Sequence, residues 1–108
     1  MLEVTFYRDS RQRLSSVFAD GHAEFAAAGE DVVCAAVSAI LQAARLGLET
    51  HCGIATNAQQ AAGTLRLELP EGERDRDDVR AVLATAELSI EQIARQYPQH
   101  VRVRRAPM

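Results

Sequence analysis

His22 and Cys34 are the residues in this sequence whose types are best suited to catalysis. They lie near the two ends of the Ala/Gly-rich stretch GHAEFAAAGEDVVCAAVS, which runs from Gly21 to Ser38. A cysteine thiolate is a nucleophile, and an imidazole can take a proton and return it near neutral pH. The pair therefore predicts nucleophilic chemistry at sulfur, provided that the fold brings the two side chains within roughly 3–4 Å.

A helix should position the cysteine. The stretch DVVCAAVSAILQAARLG has Asp31 as a plausible N-cap and Gly47 as a plausible C-terminal stop. Cys34 would then be the third helical residue, where unpaired backbone N–H groups and the helix dipole favour the thiolate form. The connector that starts at His22 is long enough to return to the same edge of the sheet.

Two further residues could assist this pair. Asp31 is the nearest acceptor that could orient the base, and Ser38 lies one helical turn beyond Cys34. Each residue also has a purely structural interpretation, because Asp31 could serve only as a cap and Ser38 could bond a backbone carbonyl. By the same reasoning Cys34 could be inert packing and His22 a surface residue.

The elements around this stretch predict an α+β fold. Strands are indicated by the alternation in LEVTFY and in RLSSVFAD, with DSRQ as the turn of an antiparallel hairpin. LETHCGIA and TLRLELP predict a second hairpin, joined by the polar TNAQQAAG, and HVRVRR predicts a last strand. Apolar residues at helical spacing between Val79 and Tyr97 predict the second helix, ended by Pro98.

This order, ββαββαβ, is typical of one domain over residues 1–108 with a mostly antiparallel sheet and two helices. The first helix is apolar or small nearly all round, which indicates burial on more than one side. A second copy of the chain is one candidate for the extra cover.

Composition excludes several other classes. The net charge is −3 and all twelve basic residues are arginine, with no dense basic patch apart from VRVRR, so direct nucleic-acid binding is not expected. The chain shows no signal-peptide pattern and no apolar run near the roughly 20 residues that span a bilayer. A cytoplasmic location without membrane attachment follows as the expectation, and the two cysteines should be free thiols there.

Other sites have weaker support. A zinc site from Cys34, Cys52, His22 and His51 lacks recognised ligand spacing, so neither a metal nor another cofactor is expected. Cys52 shares an apolar face with Ile54 in the predicted strand and should be core. His100 is expected at the surface, and VRVRR as an edge strand protected by charge.

The residues around the reactive pair resemble a known family. The order Gly-His, followed by Gly-x-Asp-Val-Val-Cys-Ala-Ala-Val-Ser, closely resembles the ribosomal-processing cysteine protease family called Prp. Here the motif falls on Gly21, His22, Gly29, Asp31, Val32, Val33, Cys34, Ala35, Ala36, Val37 and Ser38. The resemblance covers the whole chain in length and element order, although the second half carries no comparable signature.

The resemblance implies a specific activity. Members of this family are small homodimeric bacterial cysteine proteases that remove a short N-terminal extension from the large-subunit ribosomal protein L twenty-seven. It implies that Cys34 is the nucleophile and His22 the general base and acid, with Asp31 and Ser38 at supporting positions. It also implies that HAEFAAAGE is a mobile loop that orders over the substrate.

The implied substrate is a basic peptide, and acidic residues cluster around the predicted site. Asp20, Glu24, Glu30 and Asp31 would attract such a partner, or they are simply solvated loop charges. The alternative function is a non-catalytic, ribosome-associated module that holds an extended peptide. A thiol redox sensor is a third possibility, for which the sequence offers no obvious resolving thiol beyond Cys52.

Overall fold

The computed structural model describes residues 1–27 and 31–108 and contains one five-stranded sheet with two long helices. The strands are β1 (Leu2–Arg8), β2 (Leu14–Gly21), β3 (Asn57–Ala61), β4 (Thr64–Glu68) and β5 (Val101–Pro107). The helices are α1 (Val32–Leu46) and α2 (Asp77–Gln96). The predicted α+β fold and its ββαββαβ order are confirmed, while Gly29 and Glu30 of the motif and loop lie outside the described residues.

The sheet has the strand order β3-β4-β2-β1-β5. Three neighbouring pairs are antiparallel and only β5, beside β1, is parallel, so the predicted mostly antiparallel sheet is confirmed. In register, Phe6 lies opposite Val17 and Val17 lies opposite Leu67. Because side chains alternate along a strand, this register gathers the apolar residues on one face of the sheet.

Both helices pack against that apolar face. Helix α1 contributes Val33, Val37 and Leu41 to the core, and α2 contributes Ile90. Phe6 on β1 is completely buried among them. Burial of each such side chain contributes about 1.5–3 kcal/mol, so this layer fixes the position of α1 over the sheet.

The predicted strand LETHCGIA is wrong. Helix α1 continues into a π-helical turn, Gly47–His51, so Gly47 does not end the helical segment, and Gly53 follows with a positive φ of 68°. Leu48 and Cys52 are buried while Thr50 is exposed. A spacing of four residues suits one face of a helix, and this spacing prevailed over the apparent alternation. The predicted burial of Cys52 is confirmed even so.

The second hairpin is shifted along the chain. Strand β4 lies where TLRLELP predicts it, but its partner β3 lies within TNAQQAAG, which was predicted as the connecting loop. The residues of β3 are mostly exposed because this strand lies at one edge of the sheet. An edge strand with polar side chains carries little apolar alternation to reveal it.

One helical segment is long enough and apolar enough to cross a membrane by length and composition alone. It runs over 20 residues from Val32 to His51 and contains an 18-residue window with a mean hydropathy of 1.5, so the expectation that no such run exists is wrong. A single segment of this kind is weak evidence, because the core helix of a globular protein passes the same test. Here Val33, Val37 and Leu41 of the segment pack in the core described above.

Candidate active site

The end of β2 places His22 at the turn between β3 and β4. Gly21 donates its backbone N–H to the carbonyl of Gly63 at 2.9 Å. Gly21 has a φ of 97°, and a methyl group there would lie 2.5 Å from the Met1 carbonyl oxygen. Only glycine fits this position, and the resulting bend directs the chain from the last pair of β2 into His22.

The imidazole of His22 lies against the backbone of Gly63. A methyl group at Gly63 would lie 3.1 Å from His22 Nε2 and 3.5 Å from its Cε1. Gly63 also has a φ of 77°, in the two-residue turn between Ala61 and Thr64. The absent side chain therefore leaves the space that the His22 ring needs beside the hairpin turn.

The sulfur of Cys34 receives a hydrogen bond from the residue that follows His22. The backbone N–H of Ala23 donates to Cys34 Sγ at 3.1 Å, and the Ala23 side chain is fully buried beneath this contact. The start of α1 and the end of β2 therefore meet at the sulfur. The predicted return of the connector to the same edge of the sheet is confirmed by this contact.

Asp31 caps α1, as the sequence predicts, and also holds the connector. Its Oδ1 accepts from the backbone N–H groups of Val33 and Cys34, both at 3.0 Å, and its Oδ2 accepts from Phe25 N–H at 3.0 Å. The Cys34 amide, assisted by the Phe25 and Ala26 amides, lowers the pKa of this carboxyl, although its partial burial opposes the shift. The carboxylate therefore holds the start of α1 through one oxygen and the connector through the other.

Three amides in the first turn of α1 are consequently occupied. Val33 and Cys34 donate to the Asp31 side chain, and Ala35 donates to the Asp31 carbonyl at 3.0 Å. The anionic cap offsets the positive end of the helix dipole at this point. The sulfur therefore has its described backbone donor in Ala23 of the connector instead of the helical amides proposed from the sequence.

His22 and Cys34 line one pocket of about 160 Å³ between α1 and the sheet. Ser38 lines it as well, since residues 34, 37, 38 and 41 share one helical face. Asp31 is not among the lining residues. The apolar part of the wall comes from both layers of the fold, namely Leu2, Ala19, Val37, Leu41 and Leu65.

The remaining sequence candidates lie elsewhere. Cys52 is buried in the core beside Leu48 and Ile54, where burial raises the pKa of its thiol and its Asp78 neighbour acts in the same direction. Within residues 1–27 and 31–108, no group of three or more His, Cys, Asp or Glu side chains could hold a metal ion.

Three residues of the site were not predicted from the sequence. Ala23 contributes through its backbone, and Gly63 contributes by having no side chain. His100, predicted at the surface, is half-buried and bonds the Ala23 carbonyl through Nδ1 at 2.8 Å. The glycine in a turn was a readable signal, whereas the contact between His100 and Ala23 spans 77 residues of sequence and has no local signature.

A cysteine and a histidine that share one pocket at the start of a helix are the arrangement of a thiol hydrolase. The family model of cysteine protease Prp matches residues 1–102. The chain therefore belongs to the Prp family and is a cysteine protease. A comparison with curated proteins found no match.

Solved structures share this fold. The essential ribosomal processing protease Prp from S. aureus, in complex with a covalently linked product peptide, gives a TM-score of 0.89 at 21% identity, over 97% of this chain and 99% of that chain. The same protease with a substrate peptide gives 0.84 at 20% identity, over 97% and 99%. SMU.848 from Streptococcus mutans gives 0.87 at 26% identity, over 100% and 99%.

Proposed function

We propose that this cysteine protease cuts peptides at the pocket between α1 and the sheet, with Cys34 as nucleophile and His22 as general base and acid. The observation that supports this assignment is the Ala23 N–H on the Cys34 sulfur, which joins the residue after His22 to the start of α1. The two side chains also line the same pocket. Asp31 orders the start of the helix, and Ser38 borders the same space.

The proposed reaction is acyl transfer to sulfur followed by hydrolysis. His22 takes the proton of Cys34, and the thiolate forms a bond to the carbonyl carbon of the scissile peptide. The Ala23 N–H already donates to the sulfur, so it is the described donor best placed to stabilise the negative charge of the thiolate. His22 returns the proton to the leaving amine, and water then cleaves the thioester to release the acid and the free thiol.

The pocket indicates the kind of side chain that the protease accepts. Its volume is about 160 Å³ and its wall is largely aliphatic. An apolar cavity of about 150 Å³ in another protein holds a benzene ring, so an aromatic or large aliphatic side chain fits here. We infer that such a residue lies next to the scissile bond of the substrate.

The proposed substrate is the N-terminal extension of the large-subunit ribosomal protein L twenty-seven. The S. aureus relative is a ribosomal processing protease that has been crystallised with a substrate peptide and with a covalently linked product peptide. Ribosomal proteins are basic, and the exposed carboxylates Asp20 and Glu24 lie on and just after the strand end that carries His22. Complementary charge would raise the rate of encounter with such a peptide.

Cleavage of a basic extension peptide tests this proposal. The wild-type chain should release the extension, while Cys34→Ser and His22→Phe should lose at least about a hundredfold in kcat/KM, since the nucleophile or the proton carrier is removed. Cys52→Ala is the matched control: it also removes a thiol, but one in the core, and should keep wild-type turnover. Unchanged cleavage by Cys34→Ser would refute the mechanism.

The same variants distinguish the non-catalytic alternative. A peptide-binding module would bind the extension peptide without cleaving it, and its Cys34 would react with iodoacetamide only after denaturation. In the Cys52→Ala background the chain has one thiol, so mass spectrometry reports Cys34 alone. Fast alkylation of the folded chain at neutral pH is the result that the protease requires.

We also propose that two copies associate and that the protein works in the cytoplasm. The exposed apolar side chains Leu46 and Leu88 lie on α1 and α2, and an open groove lined by Ile40 and Val82 separates the two helices. Sedimentation should give the mass of a dimer for the wild type, and Leu46→Glu should shift it towards the monomer. A monomer at all concentrations would refute the association.

A further inference from the structure

His100 holds the connector that carries the backbone donor of the site. Its Nδ1 lies 2.8 Å from the carbonyl oxygen of Ala23. A carbonyl only accepts hydrogen bonds, so Nδ1 must carry the proton in this contact. Nδ1 is therefore the donor in this contact, which holds Ala23 at its carbonyl.

The backbone of His100 is itself rigidly placed. Its N–H donates to the Tyr97 carbonyl and its carbonyl accepts from Leu2 N–H, both at 2.9 Å. These bonds tie His100 to the turn after α2 and to the start of β1. The imidazole therefore extends from a well-anchored backbone position beside β1 to the connector.

The connector also packs against the His100 imidazole through the aromatic ring of Phe25. Phe25 contacts the rings of His100 and Tyr97 edge-on, with ring centroids 5.4 Å apart in both pairs. Between Ala23 and Phe25, Glu24 has a positive φ of 57°, a conformation that costs about 1–3 kcal/mol in a residue other than glycine. Contacts on both sides of Glu24 must therefore hold this bend.

The other side of Ala23 faces the sulfur. Its N–H donates to Cys34 Sγ at 3.1 Å, while its carbonyl is bound by His100 and its side chain is buried. We propose that His100 is a positioning residue that keeps the Ala23 amide aimed at the Cys34 sulfur. This inference rests on the proposed role of Cys34, because it concerns the donor that serves that sulfur.

Two groups of substitutions at His100 separate its donor from its ring. His100→Phe keeps the aromatic contact with Phe25 and removes the N–H donor. His100→Asn removes the ring and keeps a donor, because the amide nitrogen of asparagine occupies the place of Nδ1. His100→Leu lacks both and replaces His100→Phe if that variant does not fold, and melting temperatures are recorded for every variant.

Each variant is made in the Cys52→Ala background and measured in two ways. The first is the rate of Cys34 alkylation by iodoacetamide, which needs no substrate. The second is kcat and KM for the extension peptide. Loss of the donor should slow alkylation and lower kcat by at least about tenfold with little change in KM, since an ångström of misplacement can cost about a hundredfold. His100→Asn should stay within about threefold of the parent.

The outcomes are distinct. Slow alkylation and low kcat in the donor-free variants, with recovery in His100→Asn, support the positioning role. Parent rates in the donor-free variants overturn it, and so does an equal loss in His100→Asn, because the retained donor would then fail to restore the rates. A role of the ring in packing would instead slow His100→Asn and leave His100→Phe near the parent rates. If the parent chain cleaves no peptide, the proposed function fails, while the alkylation rates still decide the role of His100.

Discussion

Gly63 offers the sharpest perturbation of the proposed base, because its substitution acts on His22 without replacing either residue of the proposed catalytic pair. In Gly63→Ala the new methyl group would lie 3.1 Å from His22 Nε2. Optimal non-bonded separations are about 3.5–4.0 Å, so the ring must move by about 0.4 Å or more. Since a misplacement of about 1 Å can cost about a hundredfold, we expect kcat/KM to fall about fivefold to tenfold or further.

The backbone effect of this substitution has a matched control. Gly53 has a φ of 68°, close to the 77° of Gly63, but a methyl group at Gly53 meets no atom within 4 Å. Both alanine variants should lose about 1–2 kcal/mol because a residue with a Cβ is strained in the left-handed region. Only Gly63→Ala should also lose activity.

The assay is cleavage of the extension peptide beside thermal unfolding of both variants. A loss of 1 kcal/mol corresponds to about 4–8 °C in melting temperature for a domain of this size, so the two variants should melt at similar temperatures below the wild type. If Gly63→Ala cleaves as fast as Gly53→Ala, the contact between Gly63 and His22 has no role in catalysis and the reasoning is refuted.

Three further predictions concern residues around the site and the hairpin. Asp31→Ala should lower the free energy of unfolding by about 1–2 kcal/mol because the helix cap is lost. Asp31→Asn should keep the cap, and with it the melting temperature, but should cleave slowly because its amide N–H cannot accept the hydrogen bond from Phe25 N–H. Equal activity of Asp31→Asn and wild type would contradict the role of this bond in ordering the connector. Burial would raise the pKa of Asp9, but the Arg13 amide, the Arg74 side chain and the Arg11 amide lower it to about 2, so the native state should lose stability as the pH falls from about 4 towards 2. Asp9→Asn should flatten that acid branch of the melting temperature, and an unchanged branch would assign the acid sensitivity to other groups. Glu24→Gly should keep or raise the melting temperature, since glycine adopts the positive φ of this position without strain, and a clear decrease would show that the Glu24 side chain stabilises the bend.

The sequence pattern predicts those elements correctly whose interactions join residues close together in the chain. Asp31 before an apolar helical run predicts an N-cap, and the structure has the carboxylate on two helical amides. The alternation in LEVTFY and RLSSVFAD predicts the central hairpin because both strands are half-buried. The spacing of Cys34 and Ser38 predicts a shared helical face, which lines the pocket.

Contacts between distant segments could not be read in this way. Strand β3 is polar because it is an edge strand, and only its pairing with β4 reveals it. Leu48 and Cys52 are compatible with a strand and with a helical turn, and their packing with Leu67, Val79 and Leu83 of distant segments decides between the two. The donor on Cys34 and the support from His100 depend on backbone positions that no side-chain pattern encodes.

The central claim is that the sulfur of Cys34 forms the covalent bond with the substrate. Acid quenching during turnover, followed by intact-mass and peptide mass spectrometry, tests it directly. A mass increase equal to the acyl part of the peptide, located on Cys34 and absent from Cys34→Ser, is the predicted result. Cleavage without an adduct on Cys34, and undiminished in Cys34→Ser, would contradict it.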